Sequence, residues 1–124
     1  MIDFKNAEYL KLAPSSIEKA QDTVGDLLVP GERIEAAFKA VRDSVVFTNK
    51  RVIAVNVQGI TGRKVDYTSL PYSKVQAFSA ETAGTFDLDS ELTLWYSALG
   101  KIRFEFVRGA DMSAMSRFIA QAVL

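Results

Sequence analysis

The chain has 124 residues, enough for one domain with its own core, and 48% of its residues are hydrophobic. Its 15 basic residues balance 15 acidic residues, which argues against a nucleic-acid partner because such partners select for a basic surface. It contains no cysteine and no histidine, so disulfides, thiolate nucleophiles and the commonest general base and metal ligand are excluded. We therefore expect a protein that is not an enzyme and that uses no cofactor.

The first 30 residues are predicted to form an arm followed by an amphipathic helix. Residues 1–14 show no period and no signal-peptide pattern, and no apolar run approaches the roughly 18 residues of a membrane span. We expect residues 1–14 to form a loosely held arm or a short helical turn. We also expect the protein to be located in the cytoplasm. Ser15 and Glu18 have the spacing of a capping box at the start of the helix. The apolar stripe of this helix is Ile17, Ala20, Val24, Leu27 and Leu28.

Residues 31–124 are predicted to form a second region of seven strands and a closing helix. Runs of β-branched and aromatic residues separated by Asn49, Gly59 and Gly62 are typical of consecutive hairpins. The segment 34–41 suits a helix or a strand, and we predict a strand because its apolar residues alternate and hairpins follow. The predicted strands are residues 34–41, 45–48, 52–57, 64–68, 72–80, 92–97 and 101–106.

The last predicted element is an amphipathic helix that begins after Asp111, a plausible N-cap. Its apolar stripe includes Met112, Met115 and Ile119 at helical spacing. A small antiparallel barrel leaves an opening, and an apolar helix without another partner would close it. We therefore predict a mainly β fold: a seven-stranded antiparallel barrel or orthogonal sandwich, capped by the C-terminal helix and carrying an extra N-terminal helix.

Four segments of the sequence resemble a family of bacterial domains that are similar to pleckstrin-homology (PH) domains. The segments read FTNKRVI (47–53), QGITGRKVDY (58–67), SLPYSKV (69–75) and ETAGTFDLDSEL (81–92). The resemblance extends from about residue 29 to the C-terminus. It implies a PH-like fold, no catalytic residues to carry over, and a tendency to assemble into symmetric homo-oligomers such as rings.

Basic residues near two predicted turns form a candidate anion site. The connections after the first and third strands of a meander emerge at the same end, which would bring Arg42 close to Arg63 and Lys64. Several cations that converge on one point are what a phosphate group requires. Asp43 and Asp66 weaken this site, and charges that simply solvate the turns are the alternative interpretation.

An acidic segment offers weak candidates for a metal site. Asp87, Asp89 and Glu91 recur at every second position, as at the start of a calcium-binding loop. Such a loop also needs glycine at its sixth position and glutamate at its twelfth, where this chain has Leu92 and Ala98. The carboxylates also suit the solvent side of a strand, so no metal site is predicted.

A second set of residues consists of candidates for an interface between copies of the chain. A barrel plugged by one helix leaves the N-terminal helix to pack outside, on the same subunit or on a neighbour. Its stripe residues Ile17, Val24, Leu27 and Leu28 are therefore candidate interface residues. Phe78 and Trp95 join this set if they lie on the outer faces of their strands, and they belong to the core if the register is shifted.

The sequence thus predicts a non-enzymatic, PH-like scaffold subunit that assembles with copies of itself and binds an unknown protein partner. The resemblance implies that the assembly is a ring. The alternative is a peripheral binder of anionic lipid headgroups or small anionic ligands through Arg42, Arg63 and Lys64. Membrane contact stays open, although the balanced charge gives it no support.

Overall fold

Eight strands and two helices form the fold in a computed structural model that describes residues 8–86, 88–107 and 110–124. The helices are α1 (Ile17–Val24) and α2 (Met112–Val123), and short 3-10 turns follow α1 and precede β6. The strands are β1 (Glu8–Pro14), β2 (Ile34–Lys39), β3 (Ser44–Thr48), β4 (Arg51–Gln58), β5 (Lys64–Pro71), β6 (Val75–Glu81), β7 (Ser90–Tyr96) and β8 (Gly100–Phe106).

The strands form one sheet in the order β5-β4-β3-β2-β1-β8-β7-β6. Neighbouring strands are antiparallel, except that β1 runs parallel to β8. Strands β5 and β6 lie at the two ends of this order, so the sheet folds as a sandwich and does not close into a barrel. The predicted mainly β class with a helix near each terminus is confirmed, and the seven predicted strands correspond to β2–β8.

Strand β1 differs from the predicted arm or helical turn. Residues Glu8–Pro14 lie in the middle of the sheet, between β2 and β8, and bury Tyr9 and Leu12 in the core. The register of β1 against β8 shifts between these two residues, and Lys11 there has a φ of 57°. This bulge breaks the alternation of buried and exposed positions, which explains why the sequence shows no strand period.

The main core lies between the two halves of the sheet and beneath α2. Strand β8 contributes Ile102, Phe104 and Phe106, all fully buried as predicted. Helix α2 contributes Met112, Met115 and Ile119, and Asp111 caps the helix by accepting from the amide of residue 114 at 3.0 Å. The aromatic side chains buried in this core are Tyr9, Phe38, Phe47, Tyr72, Tyr96, Phe104 and Phe106.

A second, smaller core lies on the opposite face of β2–β4, beneath helix α1. Ala20 and Val24 of the helix pack there against Val46, Ile53 and Val55. The helix is therefore held by its own subunit, which is one of the two alternatives left by the sequence. The sheet segment β2–β4 is consequently covered by apolar contacts on both faces.

Helix α1 is shorter than its apolar stripe suggested. The α-helix ends at Val24, and a 3-10 turn carries the chain on from Gly25. Ile17 and Leu27, at the two ends of the predicted stripe, are 44% and 41% exposed. The N-cap is Ser16, whose hydroxyl accepts from the amide of Lys19 at 3.1 Å, and not the predicted Ser15.

A bulge in β6 decides where Phe78 points. The pairing of β6 with β7 shifts between Val75 and Ala77, which reverses the faces on which the following residues lie. Phe78 is therefore partly buried against the main core, whereas Ala77 is exposed. Trp95 stays on the outer face of β7 and is 37% exposed. Of the two alternatives left by the sequence, the outer face applies to Trp95 and the core applies to Phe78.

Candidate functional site

The FTNKR segment, which contributes to the family resemblance, forms a polar cluster around the side chain of Glu32. This side chain is completely buried, and its carboxylate accepts two hydrogen bonds from Arg51, at 2.9 and 3.0 Å. It also accepts from the hydroxyl of Thr48 at 2.6 Å and from the amide of Val29 at 3.1 Å. We call Glu32, Thr48, Asn49 and Arg51 the Glu32 clamp.

The Glu32 clamp joins three segments that are distant in the sequence. Arg51 also donates to the carbonyl of Leu27 at 2.7 Å and to the hydroxyl of Ser69 at 2.8 Å. Asn49 accepts from the amide of Arg33 at 2.7 Å, and its side-chain amide donates to a backbone carbonyl of the loop between α1 and β2. The clamp therefore fixes the loop after α1 onto the β3–β4 turn and onto β5.

The direction of the pKa shift of Glu32 agrees with a structural role for the clamp. Burial by itself raises the pKa of Glu32, but the hydrogen bonds from Arg51, Thr48 and the Val29 amide outweigh it, and the pKa is lowered. The carboxylate is thus held in its charged form by donors of its own chain. Because these donors already occupy both carboxylate oxygens, the clamp stabilises the fold and offers no ligand site.

The predicted anion-site residues lie around two neighbouring turns, 40–43 between β2 and β3 and 59–63 between β4 and β5. The guanidinium of Arg42 donates to the carbonyl of Gly59, which ties the first turn to the second. Arg63 and Lys64 follow in the second turn and at the start of β5, with exposed side chains. We call these two turns and Lys64 the turn surface.

The two acidic residues near the turn surface are engaged with the fold. The Asp43 carboxylate accepts from the amide of Val57 at 3.1 Å and from the side chain of Asn56 at 3.2 Å. Asp66 accepts from the hydroxyl of Thr68 at 2.6 Å, and this bond is the main cause that lowers the pKa of Asp66. Both carboxylates therefore point toward internal donors, which the sequence pattern did not reveal.

Two aliphatic side chains project from the tips of these turns. Val41, in the first turn, is 95% exposed, and Ile60, in the second, is 105% exposed. Neither packs against the rest of the chain, so the turn surface combines apolar tips with the cations Arg42, Arg63 and Lys64. Sequence patterns alone did not single out these two residues, because isolated aliphatic residues in turns are common.

The acidic segment does not form a metal site in the described part of the chain. Asp87 lies outside the described residues. Asp89 pairs with Lys11 at 2.8 Å, and Glu91 accepts from Arg103, which lowers the pKa of this carboxyl. The residues that the structure describes contain no group of three or more metal-binding side chains. The weak metal candidates Asp89 and Glu91 are thus neutralised by cations of the same sheet.

Neither described helix is long and apolar enough to cross a bilayer.

Comparison with known families and proteins adds two findings about sequence. The profile of the family described as "Bacterial PH domain" matches residues 3–123. The uncharacterized protein YjqA of Bacillus subtilis (strain 168) is 47% identical over 102 residues, which cover 82% of this chain and 73% of YjqA.

Solved structures show the same fold. A DUF1696 family protein with a pleckstrin-homology domain from Shewanella loihica PV-4 superposes with a TM-score of 0.80 at 37% identity, covering 93% of this chain and 99% of that one. A pleckstrin homology domain from Shewanella amazonensis SB2B gives 0.66 at 40% identity, covering 89% and 90% of the two chains. The PH-like fold implied by the sequence resemblance is confirmed.

Proposed function

Because the chain belongs to the bacterial PH domain family, we propose that it is a non-enzymatic interaction subunit that assembles with copies of itself. The assembly is a symmetric homo-oligomer, a ring, which presents one binding surface many times to a protein partner in the cytoplasm. Repetition of a weak site raises the overall affinity without any new contact.

The observation that carries this proposal is the sheet with two open ends. Strands β5 and β6, of eight and seven residues, are each paired on one side only among the described strands. Proteins usually protect such edges with charges, proline or covering loops. The stretch of β6 from Gln76 to Ala80 carries no charge. Pairing of β5 with the β6 of a neighbour joins two different surfaces, and such head-to-tail contacts form a ring when the rotation between neighbours closes.

The candidate interface residues contribute unequally to this proposal. Val24 is buried on the inner face of α1, and Leu28 packs partly against the same small core, so neither supports a contact between copies. Ile17, Leu27 and Trp95 retain exposed surface. Of these, Trp95 pairs with Ala77 of the edge strand β6, which places its ring beside the proposed contact.

Light scattering tests the assembly. We expect a particle mass that is a multiple of the 13.7 kDa chain. Changing both Ala77→Lys and Ser79→Lys on β6 is expected to reduce the mass to that of one chain, because strongly solvated like charges block edge pairing. The control is Gln21→Lys, at an exposed position on α1, which is expected to keep the wild-type mass. A wild-type chain that is monomeric at every concentration would refute the proposal.

A second candidate function is peripheral binding to an anionic lipid surface through Arg42, Arg63 and Lys64. The specific observation that favours it is the exposure of Val41 and Ile60 at the tips of the turn surface. Apolar side chains that enter the interfacial region, surrounded by cations that face anionic headgroups, are the usual composition of such a contact.

Vesicle sedimentation tests this second function. With vesicles of phosphatidylcholine and phosphatidylserine, we expect binding that weakens with added salt, because screening shortens the reach of exposed charges. Ile60→Asp is expected to weaken binding about tenfold, since burial of an aliphatic side chain contributes about 1.5–3 kcal/mol. Phe86→Asp, which changes another fully exposed apolar residue in the β6–β7 loop, is the control and should have no effect. Equal binding to vesicles of phosphatidylcholine alone would contradict the role of the cations.

A further inference from the structure

Apolar surface flanks the edge strand β5 on the side of helix α1. Tyr67 pairs with Val55, which belongs to the small core beneath α1, so Tyr67 lies on the same face of the sheet as the helix. Its side chain is 43% exposed. Leu27, exposed to a similar degree, lies beside this face because Arg51 donates both to its carbonyl and to the hydroxyl of Ser69. Strand β5 therefore carries an aromatic and an aliphatic side chain with uncovered surface next to its open edge.

The other open edge of the sheet also has an aromatic residue close to it. Trp95 lies on the outer face of β7, one strand in from the edge, directly opposite Ala77 of β6. Because the side chain of Ala77 is a single methyl group, the space above it is open to a ring that arrives from a strand paired with β6. Strands are spaced by about 4.8 Å, so a residue opposite Ala77 on that strand would lie about 10 Å from Trp95 across the sheet. Two aromatic side chains that lean over the alanine from both sides can bring their rings into contact at this separation.

Two features of β5 and β6 decide the direction of their pairing between copies. With Tyr67 opposite Ala77 in an antiparallel register, Pro71 lies beyond the last residue pair, where its missing amide proton costs no hydrogen bond. The parallel direction with the same pair would place Pro71 in the ladder, opposite Glu81. Antiparallel pairing also brings Lys64, at the start of β5, near Glu81, at the end of β6, so that opposite charges meet. Both features favour the antiparallel direction.

From these observations we propose that Tyr67 of one copy and Trp95 of the next pack against each other over Ala77, with β5 and β6 antiparallel and Leu27 beside the contact. This contact rests on the assembly proposed above and adds to it the direction, the register and the residues that fix them. Burial of two half-exposed aromatic rings stabilises the contact. It also selects the register, because a shift of one residue would turn Tyr67 to the face opposite Trp95.

Fluorescence of Trp95, the single tryptophan of the chain, tests the contact. As the concentration of the wild-type chain rises, we expect its emission to shift to shorter wavelengths and its quenching by acrylamide to fall, because the indole leaves water. Tyr67→Ser is expected to weaken association about tenfold, the size of one aromatic contact with its buried area, whereas Tyr67→Phe keeps the ring and should stay within about twofold. Ile17→Ser is the control, since Ile17 is similarly exposed at the opposite end of α1 from Leu27 and should change neither quantity.

A disulfide between copies tests the register without changing Tyr67 or Trp95. The chain has no cysteine of its own, so every disulfide comes from introduced residues. The proposed register places Val65 opposite Ser79, and directly opposite residues of an antiparallel pair have Cα atoms about 4.5–5.5 Å apart, within the range of a disulfide. The variant Val65→Cys with Ser79→Cys is therefore expected to form disulfide-linked chains on mild oxidation. The variant Val65→Cys with Ala77→Cys, two residues out of register, is the control and should remain largely unlinked.

The possible results separate this contact from the assembly itself. A wild-type chain that is monomeric at every concentration would overturn both. An assembled wild-type chain whose Trp95 stays as open to acrylamide as in the dilute protein would overturn the contact alone. The same holds if the assembled Val65→Cys, Ser79→Cys variant forms no disulfide, or if the Ala77→Cys control links as readily.

Discussion

Replacing Arg51 with alanine is expected to lower the free energy of unfolding by about 3 kcal/mol, because it leaves the buried carboxylate of Glu32 without its main partner. The Arg51 side chain is 21% exposed, so the effect falls at the lower end of the 3–5 kcal/mol that breaking a buried pair costs. Urea denaturation followed by tryptophan fluorescence measures it, since Trp95 is the single tryptophan. Arg33→Ala is the control, because Arg33 pairs with Glu35 while 71% exposed, and we expect a loss below about 1 kcal/mol.

The pH dependence of this effect has a definite sign. The folded state lowers the pKa of Glu32 below its ordinary value of 4.5, so the clamp contributes stability above that pH. As the pH falls below 4.5 and through the lowered pKa, Glu32 becomes protonated and the contribution is lost. The difference in stability between wild type and Arg51→Ala is therefore expected to shrink as the pH falls from neutrality through 4.5 and toward the lowered pKa of Glu32. A difference that stays constant over this range would mean that the ion pair does not stabilise the fold.

Leu12→Ala is expected to destabilise the protein by about 3 kcal/mol, because it removes a fully buried side chain from the centre of the sheet. Leu10→Ala is the matched control on the same strand, two residues away and 45% exposed, and a loss below about 0.5 kcal/mol is expected. The pair of variants distinguishes a docked β1 from a loosely held arm. Equally small losses in denaturation midpoint for both would show that residues 8–14 do not belong to the core.

The strands β2–β8 and helix α2 could be predicted because their signals are local. Alternation in 101–106 places Ile102, Phe104 and Phe106 on one face, and the structure buries all three. Asn49 and the glycines at 59 and 62 mark turns, and both glycines have the positive φ values that hairpin turns require. Consecutive antiparallel strands then fix most of the sheet order without long-range information.

The errors occur where a bulge interrupts the alternation. The shift in β1 removed the strand signal from residues 8–14, and the shift in β6 moved Phe78 from the outer face to the core. A single extra residue reverses every later side chain of a strand, so the period of the sequence cannot show it. The parallel pairing of β1 with β8 depends on residues far apart in the chain, which spacing in the sequence also cannot show.

The candidate site was predicted only in part for a similar reason. The sequence identified Arg42, Arg63 and Lys64 as neighbours from strand direction, but the internal partners of Asp43 and Asp66 depend on which way each side chain turns. In the FTNKR segment, the sequence predicts only the end of a strand at Thr48 and a turn at Asn49. The buried Glu32, which Arg51 and Thr48 contact across strands, gives that segment its structural role.

Amide hydrogen exchange of the wild-type chain, measured at high and low protein concentration, tests the assembly through open sheet edges most directly. The account predicts that the outward amides of β5 and β6 are protected at high concentration and exchange faster on dilution, while those of β3 and β4 stay protected throughout. Rapid exchange of both edge strands at every concentration, alongside a protected centre, would contradict it.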